Sequence, residues 1–166
     1  MEIVIETPRL LLRQFALEDA ADLYELNADP EVLQFTGDEA FENIKEASNF
    51  IQNYTDYKEN GFGRWAVIAK ESGEFLGWCG LKRHSDRMVD LGFRFHQKHW
   101  GRGYATEAAK ACMKYGWNNL ALKQIIGRAA KANTASIRVL EKLGMNYWKD
   151  AACDGIMDAV WYRIEH

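Results

Sequence analysis

Val89-Asp90-Leu91-Gly92-Phe93-Arg94-Phe95, followed by His96-Gln97-Lys98-His99-Trp100-Gly101-Arg102-Gly103-Tyr104-Ala105-Thr106-Glu107-Ala108, decides how this chain is read. The first seven residues are a β-type run, and the last open a helical face through Ala105, Ala108, Ala109, Cys112 and Tyr115. Between them, Gly101 and Gly103 stand in a strand-to-helix turn. Such a turn aims several backbone N–H groups without intrahelical partners at one place, and an anionic phosphate fits there. Glycine lets a ligand approach the backbone closely and supplies positive φ at no steric cost. Lys98 and Arg102 add positive charge. No Gly-Lys-Ser/Thr follows, and Thr106 stands where a dinucleotide fingerprint has its third glycine, so two better-known phosphate loops are excluded. From spacing alone, a plain tight turn remains the alternative.

Working outward, Arg64–Lys70, Phe75–Leu81 and Val89–Phe95 read as strands joined by Ser72-Gly73 and the polar turn Arg83–Arg87, an antiparallel meander. Before them, Arg9–Phe15 reads as a first strand after Thr7-Pro8. Glu18–Ala28 has helical spacing and stops at Asp29-Pro30. Phe41, Ile44, Ala47, Phe50, Ile51, Tyr54 and Tyr57 make the stripe of a second helix, ended by Gly61-Phe62-Gly63. After the glycine turn and its helix come a strand at Gln124–Ala129, a helix capped by Asn133 and stopped by Gly144, and strands at Asn146–Lys149 and Met157–Ile164. This order describes a mixed α/β sheet covered on both faces.

The 166 residues, 48% hydrophobic, suit one domain over the whole chain, residues 1–166. No apolar run spans a membrane and no leader opens the chain, so a cytoplasmic address is expected. Cys79, Cys112 and Cys153 show neither a disulfide framework nor zinc spacing, and no metal is expected; Cys112 reads as a core residue. A net charge of -3 with interspersed signs argues against nucleic-acid binding. His84, His99 and His166 read as exposed turn, loop and tail residues, and His96 has no partner pattern. The tryptophans, Trp65, Trp78 and Trp100 among them, read as core and loop packing.

Lys98 through Ala108 resembles the acetyl-CoA motif of the GNAT superfamily, and the RimJ/RimL-like N-terminal acetyltransferases are the branch that it most resembles. Thr7-Pro8-Arg9-Leu10 with Leu12-Arg13, Gly77-Trp78-Cys79-Gly80-Leu81, and Asn133 with Ser136, Leu140, Lys142 and Gly144 match the same branch in the same order. Lys98 departs from the usual Gln or Arg. The resemblance implies a mostly antiparallel twisted sheet of about seven strands flanked by about four helices, splayed between the fourth and fifth strands.

It further implies transfer of an acetyl group from acetyl-CoA to a primary amine, on a ribosomal or other protein N-terminus or on a small molecule, by a monomer or homodimer. Backbone groups of Phe93, Arg94 and Phe95, at a bulged strand end, would meet the pantetheine arm; the bland reading of Phe93 and Phe95 side chains is core. Lys98, Trp100, Gly101, Arg102, Gly103, Tyr104, Ala105 and Thr106 would hold the diphosphate, and Asn133 the arm. Asp90 is the candidate to take the amine proton, against a surface or paired role. Ser136 is the candidate to protonate the thiolate, against ordinary capping with Asn133. The Phe95 N–H would meet the oxyanion. An α-amine is about one-tenth neutral at pH 7, whereas a lysine needs about 4.6 kcal/mol to lose its proton. Acceptor choice is expected from the first two helices and the acidic loop Asp29–Glu39. A non-catalytic acyl-CoA sensor is the alternative function.

Overall fold

In a computed structural model describing residues 2–166, eight strands form one sheet ordered β1-β2-β3-β4-β5-β6-β8-β7. They are β1 Ile3–Glu6, β2 Leu10–Arg13, β3 Arg64–Ala69, β4 Phe75–Arg83, β5 Val89–Phe95, β6 Gln124–Ala130, β7 Asn146–Asp150 and β8 Ala159–Glu165. Neighbours pair antiparallel except β5 and β6, which are parallel because the helix between them makes a crossover. The helices are α1 Ala20–Leu26, α2 Pro30–Leu33, α3 Ile44–Gln52, α4 Asp56–Asn60, α5 Tyr104–Leu120 and α6 Thr134–Lys142.

Side-chain alternation sends the strands' apolar residues to two cores. Leu10, Leu12, Val67, Cys79, Leu81, Val89, Leu91 and Phe95 meet Ala108, Ala109 and Cys112 of α5 and Leu140 of α6 on one face. On the other, Ala66, Ile68 and Phe75 meet Leu23 and Leu26 of α1 and Ala47 and Ile51 of α3. Each fully buried leucine or isoleucine contributes roughly 1.5–3 kcal/mol. Among the described residues no helix is long and apolar enough to cross a membrane.

The sheet has one strand more than expected, because Ile3–Glu6 pairs along β2. The expected strand Arg9–Phe15 shortens to Leu10–Arg13: the Arg9 N–H donates to Glu107 and the Phe15 N–H to the Tyr57 hydroxyl instead of a ladder. The apolar stripe Phe41–Tyr57 is two helices, not one. Asn43 caps α3 by accepting from the Glu46 N–H, and the chain breaks at Asn53–Thr55 before α4. The stripe persists across the break because Tyr54 and Tyr57 pack ring to ring at 4.9 Å. Pro30 opens the one-turn α2, so the expected loop Asp29–Glu39 begins with a helical turn.

Candidate active site

The site lies where the sheet splits. Asp90↔Ile126 is the one register pair joining β5 to β6. Beyond it the strands separate. The β4–β5 ladder runs in step from Arg83/Val89 to Gly77/Phe95, so the expected bulge is absent from that ladder; the shift lies between β3 and β4, at Val67/Ile68. The His96 N–H donates to the Leu76 carbonyl, while the Phe95 carbonyl accepts from Trp100 Nε1 at 2.9 Å. By the alternation of an antiparallel ladder, the main-chain groups of Phe93 and Phe95 turn away from β4 into the split. A cleft of ≈ 660 Å³ opens there, lined by Asp90, Phe93, Arg94, Asn133 and Ser136 together with Arg64, Trp78 and Arg128.

Asp90, 4% exposed, is the electrostatic centre of the cleft floor. Its Oδ1 lies 2.6 Å from Arg64 Nη2, and its Oδ2 lies 2.6 Å from His84 Nε2 and 2.8 Å from Arg128 Nη2. Burial opposes the Asp90 charge, but Arg64, His84 and Arg128 outweigh it and hold the carboxyl well below the usual carboxylate range. Arg64 reaches Asp90 across Gly80 and Gly92: a Cβ on Gly92 would stand 2.8 Å from the Arg64 Cζ. Trp78 lies under both Arg64 and Arg94, 5.2 and 5.3 Å from their Cζ atoms. Arg94 in turn donates to Asn27 and Asp38. Arg128 also pairs with Asp154 at 2.9 Å. Above the floor the loop at Gly37 meets the Asp154 carbonyl so closely that a Cβ would stand 2.7 Å from it.

At the end of β5 the chain makes a short turn, Gln97–His99, and then the glycine loop. Gly101 and Gly103 have φ of +76° and +80°, and no atom lies within 4 Å of where a Gly101 Cβ would be. Among the described residues the N–H groups of Gly101, Arg102 and Gly103 have no protein acceptor. They precede α5, a helix of 17 residues whose N-cap, Gly103, offers no side-chain bond. Open space, free donors and the positive end of a long helix fit a diphosphate. Glu107 in the first turn is bound by the Thr7 hydroxyl at 2.6 Å and Arg9 Nε at 2.7 Å. Arg9 stacks on Tyr104 at 4.4 Å. Thr106 and Ala105 complete the helix start.

Asn133 caps α6 by accepting from the Ser136 N–H at 3.2 Å, so the capping expected of this pair is present, and both side chains also line the cleft. The structure thus brings Asp90, Phe93, Arg94, Asn133 and Ser136 to one cavity, while Phe95 and Lys98–Thr106 lie outside its lining. Lys98 pairs with Glu74 at 2.9 Å, so its charge is shared with the β3–β4 turn.

Two histidine expectations are corrected. His99 is buried, because the turn at Gln97–His99 tucks its ring edge-on to Tyr104 at 6.2 Å; burial lowers its pKa. His84 is drawn in by Asp90 rather than left in solvent. His166 is exposed, stacked on Trp117. Trp65 is core, and Cys112 is fully buried, as expected, but Trp78 floors the cleft. Arg64, His84 and Arg128 were missed by sequence reasoning. The sole signal was indirect: Gly80 and Gly92, side-chain-free residues in strands, mark a close approach by another group.

Residues 9–146 match a family model described as the acetyltransferase (GNAT) domain. YkkB, an uncharacterized protein of Bacillus subtilis, is 35% identical over 149 residues, covering 86% of this chain and 85% of that protein. The uncharacterized N-acetyltransferase p20 of Bacillus licheniformis is 34% identical over 140 residues, covering 82% of this chain and 79% of that one. The crystal structure of a GNAT-family acetyltransferase from Bacillus anthracis has a TM-score of 0.80 at 30% identity, covering 99% of this chain and 98% of that one. A family match over most of the chain and a split sheet ending in a glycine cradle agree, and the chain belongs to the GNAT family as an acyl-CoA-dependent N-acetyltransferase.

Proposed function

We propose that this enzyme acetylates a primary amine, on a protein N-terminus as in the RimJ/RimL-like branch or on a small molecule. The observation that carries the reading is the convergence of Asp90, Phe93, Asn133 and Ser136 on one cleft at the β5–β6 split. Bound acetyl-CoA supplies the thioester whose acetyl group is transferred. The N–H groups of Gly101, Arg102, Gly103 and the first turn at Tyr104, Ala105 and Thr106 hold its diphosphate, with Arg102 adding charge. Trp100 braces the loop by donating to the Phe95 carbonyl. The main chain of Phe93, Arg94 and Phe95, with Asn133, orients the arm, and the Phe95 N–H faces the developing oxyanion. Ser136 holds a proton at Oγ for the departing sulfur.

Asp90 receives a different role from the one its position suggests. A carboxylate held by two arginines and a histidine is ionised but is a weak proton acceptor. We assign it to fixing Arg64 and Arg128 across the split. An α-amine, about one-tenth neutral at pH 7, can lose its proton to water without a dedicated base.

Release of free thiol from acetyl-CoA, followed with α-amino peptides, amino sugars and polyamines, tests the reading. Thiol release that depends on a primary amine is expected. CoA binding without turnover of any amine would instead favour the sensor alternative.

A further inference from the structure

One wall of the cleft, around α3, is aromatic. Phe41, Phe50, Phe15 and Tyr54 line it and form a chain of rings, with centroids 5.9 Å apart for Phe41–Phe50, 6.4 Å for Phe15–Phe50 and 5.7 Å for Phe50–Tyr54. Tyr54 presents its ring, since its hydroxyl accepts from the Arg64 N–H at 2.7 Å. Phe50 nevertheless remains 41% exposed. Trp78, on the floor, is covered by the guanidiniums of Arg64 and Arg94 and stays apart from this wall. The arginines beside it are matched, Arg94 with Asp38, Arg64 with Asp90, and Arg128 with Asp90 and Asp154, while Lys82 lines the cleft without an acid partner among the described residues. Of the acids lining the cleft, Glu39 and Asp56 have no arginine partner. Those two carboxylates are left to meet the acceptor's ammonium. An exposed ring backed by three half-buried ones on one wall of a concave site favours an apolar ligand body there.

We propose that the acceptor carries its amine next to a bulky apolar group, aryl or branched alkyl, which packs on Phe41 and Phe50. This rests on the primary-amine reading above. A terminal residue of a peptide and a free arylalkylamine share this chemistry.

The test compares kcat/KM of the full chain, with saturating acetyl-CoA, for tripeptide amides led by Phe, Leu, Ala or Asp, for phenethylamine and for spermidine. Phe- or Leu-led peptides, or phenethylamine, should exceed the Asp-led peptide and spermidine by at least about tenfold, the discrimination a hydrophobic pocket supplies. Whether peptide or free amine leads identifies the source. In Phe50→Ala, and in Phe50→Leu should the first fail to fold, the Phe-over-Ala ratio should fall severalfold. Equal rates for Asp-led and Phe-led acceptors, or spermidine as the best one, would overturn the apolar proposal while leaving amine acetylation intact. Absence of turnover with every amine would remove the underlying reading, and this proposal with it.

Discussion

Arg64 passes over the bare backbone of Gly92 to bring its Nη2 within 2.6 Å of Asp90 Oδ1. A methyl group at residue 92 occupies the guanidinium's path. Gly92→Ala is therefore expected to lose about 1–3 kcal/mol of stability in urea unfolding, as the ion pair is displaced. Gly80→Ala should lose more, because its Cβ meets the Gly63 carbonyl oxygen at 2.2 Å and backbone yields less readily than a side chain.

Asp90→Asn leaves Arg64 and Arg128 buried without their shared anion, and should cost about 3–5 kcal/mol. Because the folded state depresses the Asp90 pKa, its contribution is complete above the ordinary aspartate value and is lost as pH falls below about 3.9. Wild-type stability should drop through that acid range more steeply than that of the variant, measured by thermal unfolding against pH. Near neutral pH the variant should lose rate without a changed pH profile. A base-type limb that disappears on substitution would return the proton to Asp90.

Gly101→Leu and Gly103→Leu place a side chain where φ is positive, into open space at Gly101 and against Arg9 Nη2, 3.4 Å from the Cβ, at Gly103. Calorimetric titration with CoA should show about 10–100-fold weaker binding, about 1.4–2.8 kcal/mol. Circular dichroism should show the fold retained.

Asn133→Ala and Ser136→Ala separate capping from chemistry. The first removes the bond to the Ser136 N–H and should cost about 0.5–2 kcal/mol of stability. The second keeps that backbone bond and should leave unfolding nearly unchanged while lowering kcat by about 10²-fold. Comparing each variant's unfolding curve with its steady-state kcat checks both.

The glycine loop, the meander and the Asn133 cap were legible because each rests on local chemistry: turn residues, alternation and capping. Helix α3 was legible by its stripe but not by its end, since packing of Tyr54 and Tyr57 continues the period past the last helical bond. The four-residue strand β1 carries too short a pattern to stand out. Arg64, His84 and Arg128 lie far apart in sequence and gather only because β3, the β4–β5 turn and β6 pass Asp90. No spacing rule announces such a cluster. The protonic role expected of Asp90 rested on position, whereas its electrostatics depend on those three partners.

Glu107, held by Thr7 and Arg9, bears on the proposed diphosphate site from an unexpected side. A bare carboxylate one turn into α5 would repel an incoming diphosphate and draw on the same helix field. The turn between the first two strands acts as its counter-charge, muting that repulsion before any ligand arrives. Fraying of the chain's opening hairpin would unmask the acid and weaken anion capture, although no residue of that hairpin belongs to the glycine loop.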